Sequence, residues 1–153
     1  MATQMPSERE QAGRLEGVWI VFDIRFIDST RETVVSEPQP GLFIFGRTYY
    51  SAVWVPRGGP RKRFVKRFDP TPDEIVEAFW SIIANSGTYE LSESTLMTHP
   101  IVTRMPEFAG GRTVYKYRLD GDRLHLEQLE EYLRDGTLVP RMYHVRLSLR
   151  RVE

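Results

Sequence analysis

Ala84-Asn85-Ser86-Gly87-Thr88-Tyr89-Glu90-Leu91, then Thr95-Leu96-Met97-Thr98-His99-Pro100-Ile101-Val102, then Met105-Pro106-Glu107-Phe108-Ala109-Gly110-Gly111, then Tyr117-Arg118-Leu119-Asp120-Gly121-Asp122-Arg123-Leu124-His125-Leu126, is the part of this chain that decides its fold. It reads as antiparallel strands with their turns. Asp120-Gly121 between two alternating apolar runs is a strong two-residue hairpin signal. The spacing predicts strands at about 87–92, 95–104, 112–119 and 123–132, with a loop from Pro106 to Gly111.

Working outward, Asp135-Gly136 marks another turn, and a last strand is expected from about Leu138 to Leu149. On the N-terminal side, Leu15-x-Gly17-x-Trp19 opens a long strand to about Ile27. Both of its faces are apolar enough for one to line a core and the other to be covered. Residues 41–45 and 48–55 are aromatic and β-branched around Gly46-Arg47, a second hairpin. Residues 29–39 read as a loop with room for a short strand. The only strong helix signal follows Asp69-Pro70. Thr71 is the N-cap, Pro72 takes the first helical position, and Asp73 and Glu74 suit the first turn. Ile75, Phe79, Ile82 and Ile83 form an apolar stripe, which predicts one helix over about 72–85. The expectation is a mainly β chain, a closed antiparallel up-and-down barrel of eight or nine strands with one inserted helix. Closure favours the barrel because it removes exposed edges. Residues 1–13 are expected to be a flexible N-terminal arm or a short helix, and 14–153 a single domain.

Composition bounds the function. The chain has 153 residues, 21 basic against 21 acidic side chains, and no cysteine. Balanced charge gives no argument for nucleic acid or membrane. The missing cysteines exclude disulfides, thiolate metal sites and a cysteine nucleophile. Residues 1–14 lack the apolar core of a signal peptide, and no apolar run approaches the roughly 20 residues of a membrane span. The expectation is a cytoplasmic protein. His99, His125 and His144 lack the close spacing of a zinc site, and neither a phosphate loop nor a nucleophile elbow is present. No metal and no cofactor are expected.

The order Gly87-x-Tyr89, His99, Pro106-x-Phe108, Gly110-Gly111, Asp120-Gly121-Asp122 resembles the lipocalin-like domain family, small calycin-type β-barrels. The resemblance runs from about Leu15 to Leu149. Gly17-x-Trp19 is similar to the opening of the first strand in such barrels, where the tryptophan plugs the closed end against an arginine of the last strand. Arg146, Arg150 or Arg151 could serve. The resemblance implies a lumen that binds a small apolar or amphipathic molecule. Related folds also act as cofactor-free cyclases or isomerases in natural-product pathways of polyketide or terpenoid type. The alternative is a non-catalytic carrier or sensor. A homodimer stays open.

Alternation along the strands assigns side chains to the lumen. Tyr115, Tyr117 and Leu119 turn inward if Lys116 and Arg118 face water. Tyr143, Val145, Leu147 and Leu149 share the inner face of the last strand. On the strand before, either Leu124, Leu126 and Gln128 or His125, Glu127 and Leu129 point in, with the first set favoured. Tyr89 and Leu91 share one face, as do Met97, His99 and Ile101. In the enzyme reading, Tyr89, His99, Tyr115 and Tyr117 hydrogen-bond a substrate carbonyl, since neutral tyrosine and histidine donate near pH 7. The ligand-binding set is Asp23, Arg25, Trp54, Met97, Ile101, Gln128 and Tyr143. Asp23 and Arg25 belong to it because alternation puts them on the face of Trp19. Each has a plainer reading, in which large rings fill a small barrel and charges face water. The basic loop from Arg57 to Arg67 reads as a lid over the barrel mouth or a solvated linker.

Overall fold

Nine strands form one antiparallel sheet that closes on itself in the computed structural model, which describes residues 7–153. In chain order they are β1 (Gly17–Ile27), β2 (Glu32–Val34), β3 (Leu42–Phe45), β4 (Tyr49–Trp54), β5 (Ile83–Leu91), β6 (Thr95–Thr103), β7 (Arg112–Asp120), β8 (Arg123–Tyr132) and β9 (His144–Arg151). Each strand from β3 to β9 pairs with its sequence neighbour, and β1 pairs with both β3 and β9 to shut the ring. The eight barrel strands are therefore β1 and β3–β9. Strand β2 extends the sheet only beside Arg25–Ile27.

Two helices accompany the barrel. Helix α1 (Glu8–Leu15) starts at a capping box in which Ser7 and Glu10 satisfy each other's backbone N–H groups. Residues 1–6 of the expected N-terminal arm lie outside the described residues. Helix α2 (Pro72–Trp80) has the predicted start, a capping box of Thr71 and Glu74 with Pro72 in the first turn. It ends at Trp80 and not near residue 85. Ile82 and Ile83 are β-branched, and Ile83 pairs with Trp54 as the first residue of β5. The last strand is likewise shorter than expected. Residues 133–143 form a loop with an isolated bridge between Tyr132 and Leu138, tied to β8 also by the Val139 N–H donating to the Glu131 carbonyl at 2.9 Å, and β9 begins only at His144.

Apolar side chains from every barrel strand meet inside. Trp19, Ile24, Leu96, Leu124, Leu126, Leu147 and Leu149 are almost wholly buried. Gly87 explains part of the sequence pattern. A β-carbon there would lie 2.0 Å from the His99 carbonyl oxygen and 2.8 Å from the Pro100 Cα. The β5–β6 ladder shifts register between Ser86 and Gly87, so the two backbones close in at this point. The Gly-x-Tyr and His-Pro elements are thus two sides of one backbone contact. Gly87→Ala is expected to destabilise the barrel by about 1–3 kcal/mol, as overpacking against a rigid neighbour does. Thermal unfolding of the variant measures it.

Candidate functional site

The two ends of the barrel differ. At one end α1 seals the ring. Leu15 and Trp19 are fully buried, and the Trp19 indole N–H donates to the Leu15 carbonyl at 2.9 Å. The Arg151 guanidinium stacks 4.3 Å from the Trp19 ring and donates to the carbonyls of Glu16 (2.7 Å) and Arg14. Of the three candidate arginines, Arg151 holds the plug. Gly17, at φ 135°, leaves room for it, because a β-carbon would sit 2.6 Å from its guanidinium nitrogen.

At the other end the barrel is open. A cavity of about 1150 Å³ runs inward from the mouth. Its walls are mainly apolar, with Phe26, Trp54, Ile83 and Val145 from the strands and Trp80, Phe108, Met142 and Tyr143 at the rim. This is the usual make-up of a small-molecule pocket. A few polar groups converge within. Asn85 lines the wall, and its Oδ1 accepts from the hydroxyl of Tyr50, a buried residue that is not itself part of the lining, at 2.6 Å. Gln128 donates to Glu131 Oε2 at 2.7 Å, and Arg141 pairs with the same carboxylate oxygen. Thr113 and Tyr115 add to the polar part of the wall, as do Asp28, Arg57, Thr103 and Arg104.

Tyr115 differs from the other tyrosines inside the barrel. Tyr50 is bonded to Asn85, Tyr89 to the Gly46 carbonyl at 2.6 Å, and Tyr117 to Gln11 Oε1 at 2.5 Å and the Ser92 carbonyl at 2.9 Å. The Tyr115 hydroxyl has no hydrogen-bond partner among the described residues. Burial pushes its pKa far above the ordinary phenol value, and the nearby Tyr50 and Glu131 add to the shift. Burial likewise pushes Tyr50 up to about 12. Both hydroxyls therefore keep their protons at any physiological pH.

A bulge builds this cluster. Tyr115 stands opposite Gln128 and Val114 opposite Glu130, so Leu129 is an extra residue in β8. The extra residue turns Glu131 to the inner face, opposite Thr113. Strict alternation would send Gln128 and Glu131 to opposite faces. Their hydrogen bond exists because the ladder slips between them. Glu131 is only 14% exposed, well shielded for a carboxylate.

Several expected site residues lie elsewhere. Trp54, Tyr115, Gln128 and Tyr143 line the cavity. Tyr89 and Tyr117 do face inward, but at the sealed end, where their hydroxyls brace the β3–β4 turn and α1. Met97, His99 and Ile101 point outward, because Leu96, Thr98 and Pro100 are the buried residues of β6. Leu96 pairs with Tyr115 and Thr98 with Thr113, which ties their faces together. His99 meets Glu90 on the outer wall at 3.1 Å, and Ile101 is 60% exposed. Asp23 and Arg25 are also outside. A register shift between Val21 and Asp23 reverses the alternation, so Ile24 is buried while Arg25 pairs with Asp23 and Glu32 on the surface.

Sequence reasoning missed Tyr50, Asn85, Glu131 and Arg141. Tyr50 shared the alternating face of Trp54 and could have been found from it. Asn85 was hidden by the overlong helix, Glu131 by the bulge, and Arg141 by the loop that replaces the start of the last strand.

The lipocalin-like domain family model matches residues 16–147. The chain belongs to this family. The match spans the barrel of this lipocalin-like domain from β1 into β9, while α1 and Arg151 at the sealed end lie outside it. No curated protein matches the chain. Among the described residues, no cluster of three or more His, Asp or Glu could hold a metal ion, and no helix is long and apolar enough to cross a membrane.

Proposed function

We propose that this lipocalin-like domain binds a small amphipathic molecule in its lumen. The apolar body packs between Phe26, Trp54 and Val145, and one hydrogen-bond acceptor meets the Tyr115 hydroxyl. The observation that carries this reading is that hydroxyl itself, protonated, unpartnered and lining an apolar cavity. The hydroxyl faces the cavity, where bonding to an acceptor on the ligand is worth a net of about 0.5–1.5 kcal/mol. The Gln128–Glu131–Arg141 group and the Tyr50–Asn85 pair supply further polar contacts nearby.

Tyr115→Phe removes the donor and nothing that the fold uses. Affinity for an acceptor-bearing ligand is expected to fall about 3- to 10-fold, the share of one hydrogen bond, with unchanged thermal stability. Tyr89→Phe, which severs only the Gly46 contact, is expected to leave affinity as it is. Fluorescence titration with an amphipathic ketone probe reads both. Equal affinity of wild type and Tyr115→Phe would remove Tyr115 from recognition.

The catalytic form of the proposal is a cofactor-free isomerase or cyclase. It is favoured by one feature, a neutral tyrosine donor and the Glu131 carboxylate facing the same cavity. Such a donor polarises a carbonyl, and a shaped lumen holds a flexible chain in a reactive geometry. The alternative is a carrier or sensor that returns its ligand unchanged. Incubation followed by NMR of the recovered ligand separates them, because isomerisation changes connectivity at constant mass.

A further inference from the structure

The segment from Arg57 to Phe68 carries Arg57, Arg61, Lys62, Arg63, Lys66 and Arg67 and no acidic residue. It runs along α2 at the cavity mouth. Arg57 lines the cavity and pairs with Glu77, Arg61 donates to Ser81 Oγ at 2.8 Å, and the Val65 N–H donates to Glu74 at 2.9 Å. These contacts occupy the helix carboxylates Glu74 and Glu77, leaving Asp69 and Asp73 as the acidic neighbours. Lys62, Arg63, Lys66 and Arg67 are exposed and have no ion pair among the described residues. Between them stand two apolar side chains in open solvent, Val65 at 93% and Phe68 at 90% exposure. Helix α2 adds Ile75 and Val76, both more than half exposed, and it buries no residue of its own.

We propose that this rim docks on an anionic phospholipid bilayer, with the cavity mouth turned toward the membrane. A soluble surface gains nothing by holding Val65 and Phe68 in water, whereas an interfacial layer takes apolar side chains below the headgroups and cations among them. Nucleic acid would satisfy the cations and leave Val65, Ile75 and Val76 wet. The neutral net charge of the chain does not oppose this, because salt screens charges beyond about 10 Å and only the local segment meets the surface. The proposal goes beyond lumenal binding and does not depend on it.

Sedimentation with vesicles tests it. The full chain is expected to pellet with vesicles of equal parts phosphatidylcholine and phosphatidylglycerol and to stay in solution with pure phosphatidylcholine. Neutralising Lys62, Arg63, Lys66 and Arg67 to glutamine should weaken partitioning about fivefold per charge. Val65→Ser with Phe68→Ser keeps every charge and should also weaken it at least tenfold. All six positions are exposed, so both variants keep the fold, and retained binding of a lumenal probe confirms this independently. Wild type that ignores anionic vesicles, or binds both vesicle types equally, overturns the proposal. So does binding to single-stranded RNA with vesicle binding unaffected by either variant.

Discussion

Trp19→Ala is expected to remove about 3–5 kcal/mol of stability, the range for deleting a fully buried tryptophan, and chemical denaturation measures it. The indole has no solvent exposure. Its N–H donates to the last residue of α1, and its face carries the Arg151 guanidinium. Alanine leaves a cavity at the sealed end and takes away the Leu15 contact. It also strands Arg151 against the carbonyls of Arg14 and Glu16 without the ring beneath it. The helix that closes the barrel thereby loses its anchor on β1. Trp19→Phe keeps most of the bulk and loses the N–H, so its cost should be smaller, near the 1 kcal/mol net worth of one hydrogen bond plus a modest packing loss. A loss below about 1 kcal/mol for Trp19→Ala would show that the sealed end is not held as described.

Val145→Trp should have the largest effect on binding. Val145 stands opposite Phe26 in the β1–β9 ladder and faces the cavity. Val145 is a buried member of the core that also lines the cavity, so an indole there is expected to fill part of the lumen at some cost in packing. A ligand that gives up about 100 Å² of apolar contact forfeits about 2–3 kcal/mol, close to a hundredfold in affinity. Titration with an apolar fluorescent probe reads the loss, and circular dichroism shows whether the fold is kept. Undiminished affinity would place the probe outside the lumen.

The strands and their turns were readable because turn chemistry is local. The β7–β8 turn is Gly121-Asp122, one residue later than the expected pair, with Asp120 paired to Arg123 and Gly121 at φ 59°. Gly17-x-Trp19 marked the plug. The inward set of β7, β8 and β9 followed from alternation, since Lys116, Arg118, His125 and Arg146 break the apolar pattern on one face only. Alternation fails wherever a strand carries an extra residue or has two similar faces. On β1 the register shift after Val21 moved Asp23 and Arg25 outside. On β8 the bulge at Leu129 brought Glu131 in. On β6 both faces are partly apolar, Leu96 and Pro100 against Met97 and Ile101, so nothing local decides which is inner. Pairing with Tyr115 and Thr113 decides it, and pairing register is a property of two strands together. The polar cluster around Tyr115 depends on such long-range registers, which is why the barrel was easier to read than its site.

Helix α2 shows a related limit. Its start was written in Thr71-Pro72-Asp73-Glu74, yet of the expected apolar stripe only Ile75 and Phe79 lie on the helix, and both are exposed. A hydrophobic stripe reports that a face seeks an apolar partner and does not say that the partner is the chain's own core.

The central claim is that the lumen is open and that Tyr115 receives the ligand's acceptor. Native mass spectrometry of wild-type protein and Val145→Trp, each mixed with a panel of amphipathic ketones, tests it most directly. The account predicts one-to-one adducts on the wild type, sharply reduced on Val145→Trp. Wild-type protein that stays at its bare mass across the panel, or adducts that survive the blocked lumen unchanged, would contradict it.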